Sequence, residues 1–295
     1  MLNPSILQLV GNTPLVACRN LIQNPNVKLY FKLEGHNPGG SVKDRPALNM
    51  IQSALERGEI DTHTKLIEAT SGNTGIALAM IAGVFGLDIE LVMPENATKE
   101  RVQTMRAYGA KVTLTSSDVG IEGARDYAEN KVNQEGYFMM NQFANPDNWK
   151  AHYKSTGPEI WKDTAGEITH FVSSMGTTGT IMGTSTYLKE QNPDVEIVGV
   201  QPTEGSRIPG IRKWPEAYLP KIFNPEKVDR IMEVTQDEAV TMAKRLAKEE
   251  GVFSGMSSGG AATAALKLAE TLTEGVIVSI VCDRGDRYLS SDIFE

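Results

Sequence analysis

Lys65-Leu-Ile-Glu-Ala69, then Thr70-Ser-Gly-Asn-Thr-Gly75, then Ile76-Ala-Leu-Ala-Met-Ile-Ala-Gly-Val-Phe85 are consecutive in the chain. They read as strand, glycine-rich junction and helix. The first run is short and largely apolar; the last is long and alanine-rich, which predicts a helix over 74–85. The same order recurs outward from this stretch. Strands are expected at 89–93, 111–115, 169–173, 195–200 and 276–281, and helices at 98–108, 121–133, 180–190, 236–250 and 261–272. Such alternation implies parallel strands covered by helices on both faces. About eight strands are many for one sheet. The expected fold class is therefore α/β, with two three-layer αβα domains whose twisted sheets are mostly parallel and a cleft between them. No repeat of 20 to 50 residues and no low-complexity stretch is present.

The chain has 295 residues, 40% of them hydrophobic and 22% charged, which reads as soluble and globular. Lys plus Arg number 29 and Asp plus Glu 37, a formal charge of −8. An acidic balance argues against a nucleic-acid surface. Cys18 and Cys282 are too far apart in sequence for a CxxC site, and two cysteines make no disulfide framework. His36, His63, His152 and His170 lack metal-ligand spacing, so no metal is expected. Residues 1–14 show no basic segment followed by an apolar run. The most apolar stretch, 76–87, falls short of the roughly 20 residues that span a bilayer. The expectation is a cytoplasmic protein that binds neither membrane nor nucleic acid.

Three junctions are rich in Gly, Ser and Thr: Thr70 to Gly75, Gly176-Thr-Thr-Gly-Thr180, and Gly255-Met-Ser-Ser-Gly-Gly260. Small residues let backbone approach a ligand. The unpaired N–H groups of the next helix, with its dipole, then favour an anion. Ser, Thr and Asn before a helix also act as ordinary caps, but caps do not require so many glycines. A fourth segment, His36-Asn-Pro-Gly-Gly-Ser-Val-Lys-Asp-Arg45, is turn-rich, with a helix expected from near Ser41. Lys43 would then fall in the first helical turn. Positive potential there would make its amine a better nucleophile and base. The alternative is a solvated lysine paired with Asp44 or Glu56.

Familiar motifs fail on their mechanics. There is no GxGxxG and no GxxxxGK[ST]. Gly255-Met-Ser-Ser-Gly259 matches GxSxG, but a hydrolase of that kind needs a histidine after the serine, and the last histidine is His170. An amine at a helix start together with several anion seats is the set a pyridoxal phosphate enzyme requires.

Asn37-Pro-Gly-Gly-Ser-Val-Lys-Asp-Arg45, Thr70 to Gly75, Gly176 to Thr180 and Gly255 to Gly260 together resemble the cysteine synthases (O-acetylserine sulfhydrylases). These belong to the fold type II, tryptophan-synthase-β-like, pyridoxal phosphate family. The resemblance runs from Gly11-Asn-Thr-Pro-Leu15 to the C-terminus. Two stretches resemble the B type among these enzymes: Ile208-Pro-Gly-Ile-Arg-Lys-Trp-Pro215 and Cys282-Asp-Arg-Gly-Asp-Arg-Tyr-Leu289.

The resemblance implies a large domain of residues 1–34 plus 148–295, a smaller mobile one of 35–147, pyridoxal 5′-phosphate in the cleft and a homodimer. It implies β-replacement of O-acetyl-L-serine by sulfide, and by thiosulfate in the B type, through an α-aminoacrylate. Lys43 would carry the cofactor and move the α-proton. Gly176, Thr177, Thr178, Gly179 and Thr180 would hold its phosphate, Asn73 its ring hydroxyl and Ser257 its pyridine nitrogen. Thr70, Ser71, Asn73, Thr74 and Gln142 would seat the substrate carboxylate. Arg212 would bind thiosulfate by paired hydrogen bonds. Trp214 closes over that anion or simply packs. Cys282 is placed near the site, and Asp283 beside it reads as a turn residue. His36 and His152 are read as structural and Cys18 as a small core residue. A complex with serine acetyltransferase, a trait of the A type, is not expected. O-phosphoserine as donor, a cystathionine-type condensation, dehydration, and a catalytically idle scaffold all remain open.

Overall fold

The computed structural model describes residues 5–70 and 72–295. In chain order the strands and helices are β1 (Leu15–Ala17), β2 (Val27–Leu33), α1 (Asp44–Glu56), β3 (Leu66–Ala69), α2 (Asn73–Phe85), β4 (Ile89–Pro94), α3 (Lys99–Ala107), β5 (Lys111–Thr115), α4 (Gly120–Glu135), β6 (Phe138–Met139), α5 (Pro146–Lys154), α6 (Thr156–Asp163), β7 (His170–Ser174), α7 (Gly179–Gln191), β8 (Glu196–Pro202), β9 (Arg230–Val234), α8 (Gln236–Glu250), α9 (Met256–Thr271) and β10 (Gly275–Val281). They form two compact units. One holds residues 5–10 and Lys43–Asn148, the other Gly11–Val42 and Trp149–Glu295.

The first unit contains an all-parallel sheet in the order β5-β4-β3-β6. Strand alternation sorts its side chains. Leu66, Leu91 and Met93 pack with Met50 and Ile51 of α1 and Leu78 and Ile81 of α2, while Ile67 and Val92 meet Ala124 and Ala128 of α4. β3 and β4 are buried throughout, as strands between two helical layers must be. Burial of each such Leu or Ile contributes about 1.5–3 kcal/mol. Leu7 also packs on this core, so residues 5–10 belong here and not with the segment that follows them.

The second unit has a sheet ordered β1-β2-β10-β7-β8-β9, parallel except for β1. Val172, Val198 and Ile277 face Leu246 of α8 and Leu268 of α9. Phe171, Ile197 and Val278 face Ile160 of α6 and Leu188 of α7. β2 was not expected, because Lys28 and Lys32 interrupt its apolar pattern. Lys32 is nonetheless fully buried; its Nζ donates to Thr13 O at 2.7 Å and pairs with Glu159 and Asp163. β9 is a largely exposed edge strand with little apolar signal.

Two helix starts differ from expectation. α1 begins at Asp44, not near Ser41. Ser41 is bridged to Asp283 and the Val42 N–H donates to Cys282 O, so these peptides are spent on extended pairing. The same contacts place residues 35–42 in the second unit, although the sequence assigned them to the smaller domain. α9 begins at Met256, five residues before its expected start at 261, so Gly259 and Gly260 lie inside the helix. A Cβ on Gly259 would lie 2.0 Å from Ala239 O, so the glycine allows close packing against α8.

Candidate active site

β7 ends at Ser174 and α7 begins at Gly179, with Met175 to Thr178 between them. A Cβ on Gly176 would lie 2.7 Å from Gly210 O, so only glycine fits there. Thr178 has φ +70°, a left-handed conformation that a β-branched residue adopts only under constraint. Its Oγ1 is buried and has no hydrogen-bond partner among the described residues. The N–H groups of α7's first turn lack intrahelical acceptors; that of Gly179 reaches Thr177 Oγ1 at 3.4 Å. His152, buried on α5, puts Nδ1 2.8 Å from Thr156 Oγ1 and Nε2 3.4 Å from Thr180 Oγ1. It therefore touches this junction directly, beyond its expected structural role.

The loop 208–214 closes on the same junction. Arg212 N–H donates to Met175 O (2.8 Å) and Trp214 Nε1–H donates to Gly176 O (2.7 Å). The exposed Arg212 guanidinium lies over the Trp214 ring, 5.3 Å from its centroid, and forms no ion pair among the described residues. Ser257, in the first turn of α9, is buried. Its carbonyl accepts from Ser174 Oγ at 2.7 Å, and its Oγ lies 3.5 Å from where a Cβ on Gly210 would sit. Gly176, Arg212, Trp214 and Ser257, separated in sequence, are thus brought together.

The C-terminal stretch flanks these residues. Cys282 N–H donates to Ser258 Oγ (2.9 Å) and Tyr288 OH to Asp283 Oδ2 (2.6 Å). Arg287 donates to Gly39 O. Asp283 is buried, and Cys282 is half-buried and outside any disulfide. Cys18 is also free and buried, its thiol pushed up to about 12 by burial and by the Glu250 carboxylate.

In the first unit Lys43 is half-buried at the cap of α1, and its carbonyl accepts the first helical bond from Ala47 N–H at 3.0 Å. It sits before the first turn, not within it. Thr70 directly follows β3 and is buried; its Oγ1 accepts from Gly72 N–H at 3.3 Å. Asn73 is the first residue of α2. Thr74 Oγ1 donates to Gln142 Oε1 at 2.8 Å, so Gln142 joins the Thr70 to Thr74 junction from 68 residues away. Ser71 lies outside the described residues.

Sequence reasoning overlooked Glu68. It sits in the middle of β3, is 3% exposed, and burial pushes its carboxyl up to about 7. The available signal was a single acidic residue in an otherwise apolar parallel strand, two positions before Thr70. Among the described residues no group of three or more His, Cys, Asp or Glu is arranged to hold a metal ion. No described helix is long and apolar enough to cross a membrane.

A strand-to-helix junction with a buried, unpartnered hydroxyl next to a helix's first-turn amides is suited to an anion in an αβ fold. The chain belongs to the pyridoxal-phosphate dependent enzyme family, whose model matches residues 6–283. It is 59% identical to cysteine synthase B of Pseudomonas aeruginosa, over 99% of this chain and 98% of the relative. Its fold matches the crystal structure of a cysteine synthase from Entamoeba histolytica with TM-score 0.94 at 38% identity, covering 100% of this chain and 91% of the other. It matches that of an O-ureido-L-serine synthase with TM-score 0.94 at 35% identity, covering 100% and 96%.

The residues present fit the family's cofactor. A phosphate would supply the partner that Thr178 Oγ1 lacks, beside first-turn amides of α7 that have no intrahelical acceptor. Gly176 keeps this cradle free of a side chain.

Proposed function

We propose that the chain makes L-cysteine from O-acetyl-L-serine and sulfide, and S-sulfocysteine from thiosulfate. The observation that carries this reading is the 176–180 junction, with its left-handed Thr178 and orphaned buried hydroxyl. Similarity to cysteine synthase B supports the substrate. In this reading Gly176 to Thr180 hold the cofactor's phosphate, Asn73 its ring oxygen and Ser257 its pyridine nitrogen.

When bound, the cofactor withdraws electrons from Cα, which acidifies the α-proton and lets acetate leave from Cβ. Lys43 anchors the cofactor covalently. Once displaced by the amino acid, its amine takes the proton at Cα and later returns it. Ser257 offers a neutral hydroxyl where a carboxylate would give more charge stabilisation, which suits elimination and replacement. Thr70, Ser71, Asn73, Thr74 and Gln142 seat the substrate carboxylate through hydroxyls, amides and helix-start N–H groups. Holding it there excludes water, which would otherwise divert the reaction to pyruvate.

The thiosulfate arm rests on Arg212. Its guanidinium is exposed and backed by Trp214, on a loop pinned to Met175 and Gly176. A planar fork held this way suits a divalent oxyanion. Cys282 and Asp283 keep no assigned role in catalysis. We also propose a cytoplasmic homodimer without a stable serine acetyltransferase complex.

The purified holoenzyme, incubated with O-acetyl-L-serine and either sulfide or thiosulfate, should yield L-cysteine and S-sulfocysteine by mass spectrometry. No sulfur-containing product from either donor would overturn the assignment. Light scattering at the dimer mass, with and without added serine acetyltransferase, tests the assembly.

A further inference from the structure

The β3–β6 ladder is short. Leu66 pairs with Phe138 and Ile67 with Met139, and there pairing stops. Beyond it the chain turns away, with Asn141 at φ +52°. The N–H groups at that turn lose the acceptors that a continued ladder would supply, and buried N–H groups require a substitute. Glu68, one residue past the last paired position, provides it. Its Oε2 accepts from Asn141 N–H at 3.0 Å, and the Gln142 N–H next along the chain also favours its charged form. Glu68 forms no ion pair among the described residues; Arg125 on α4 exerts only a weak attraction. A buried carboxylate without a cation is costly. A main-chain acceptor or a neutral side chain would close a turn more cheaply.

What the carboxylate secures is Gln142. The Gln142 backbone is held on both sides: the N–H of Asn141 just before it by Glu68 Oε2 at 3.0 Å, its own carbonyl by Asn148 Nδ2 at 2.6 Å. Its side chain then accepts from Thr74 Oγ1 at 2.8 Å, across the junction that follows the same strand. Glu68, on β3, and Thr70, just past its end, are two residues apart. One strand thus leads directly into Thr70 and, through Glu68, holds the turn that carries Gln142.

We propose that Glu68 is a positioning residue: its carboxylate fixes the Asn141–Gln142 turn and thereby sets Gln142 and Thr74 in the geometry that receives the amino-acid substrate's carboxylate. The inference rests on the assignment of Thr70, Thr74 and Gln142 to that seat.

The test uses holoenzyme and Glu68→Gln, which keeps the shape but leaves one acceptor oxygen and an amide NH2 where the carboxylate faced the Asn141–Gln142 peptides. KM for O-acetyl-L-serine should rise about tenfold with kcat changed less than twofold. Cofactor content and its visible absorption should match wild type. In a cycle with Gln142→Ala, the double variant should have a KM no higher than Gln142→Ala alone, because Glu68 acts through Gln142. If Glu68→Gln does not fold, Glu68→Asp, shorter by one methylene, should show the same KM rise. An unchanged KM, additive effects in the cycle, or loss of cofactor and fold in both variants would overturn the proposal. A wild type that uses no amino-acid donor, or a Gln142→Ala variant with normal KM, would instead sink the seat assignment.

Discussion

The junction after β3 and the junction after β7 have the same ingredients, glycine with threonine before a helix, yet are finished differently. After β3 the polar groups find partners within the first unit: Gly72 N–H on Thr70 Oγ1, Thr74 Oγ1 on Gln142. After β7 Thr178 is held left-handed with a buried hydroxyl that no described residue meets. The first junction is a set of side chains pre-aligned by one another, suited to a substrate that comes and goes. The second is an unfinished cradle, suited to a resident phosphate. Composition makes a junction able to bind an anion; what its donors are already doing decides which anion and for how long.

That contrast can be broken by variants. Lys43→Ala should have the largest effect, a fall in kcat of roughly a thousandfold or more, since in the proposed reading it removes both the covalent anchor and the proton carrier. Borohydride reduction followed by peptide mass mapping should place the adduct on Lys43 in wild type. An adduct on another peptide would remove the basis for the reading.

Glu68 supplies the next effect. Burial raises its folded-state value to about 7, above the ordinary 4.5. Between those values the folded protein holds a proton that the unfolded chain releases. Stability should therefore be fully present below about pH 4.5 and fall by roughly 3 kcal/mol as pH rises through 7. Denaturant titrations across pH 5–8 should show that slope in wild type and a flattened one in Glu68→Gln. Equal slopes would mean the carboxyl titrates normally.

Arg212→Ala should lower kcat/KM with thiosulfate relative to sulfide by about ten- to a hundredfold, the size of a lost charged hydrogen-bond pair. An unchanged ratio would detach Arg212 from the nucleophile. The smallest effect tests the cradle itself. Thr178→Gly should weaken cofactor retention about tenfold on dialysis while raising the apo-protein's stability by about 1 kcal/mol, because glycine relieves the positive φ. Loss of both affinity and stability would mean the hydroxyl is structural.

Much of this was legible because it is local. Alternating apolar runs marked β3, β4, β7 and β10, and the acidic start of α8 coincides with a capping box of Thr235 and Glu238. β2 was not legible, because a lysine in a strand reads as solvent-facing until Glu159 and Asp163 arrive from α6. The α1 start was misplaced for a similar reason: the peptides at Ser41 and Val42 are claimed by residues near the other end of the chain.

From sequence alone came the parallel αβ plan, the candidate lysine and the hydroxyl-rich junctions, since each depends on neighbours along the chain. Only the tertiary structure decided which donors are already used, that Thr74 Oγ1 bonds Gln142 Oε1, and that the buried Glu68 carboxylate accepts from Asn141 N–H beside it. Hydrogen bonds between segments 70 residues apart depend on folded geometry, which no short window of sequence encodes.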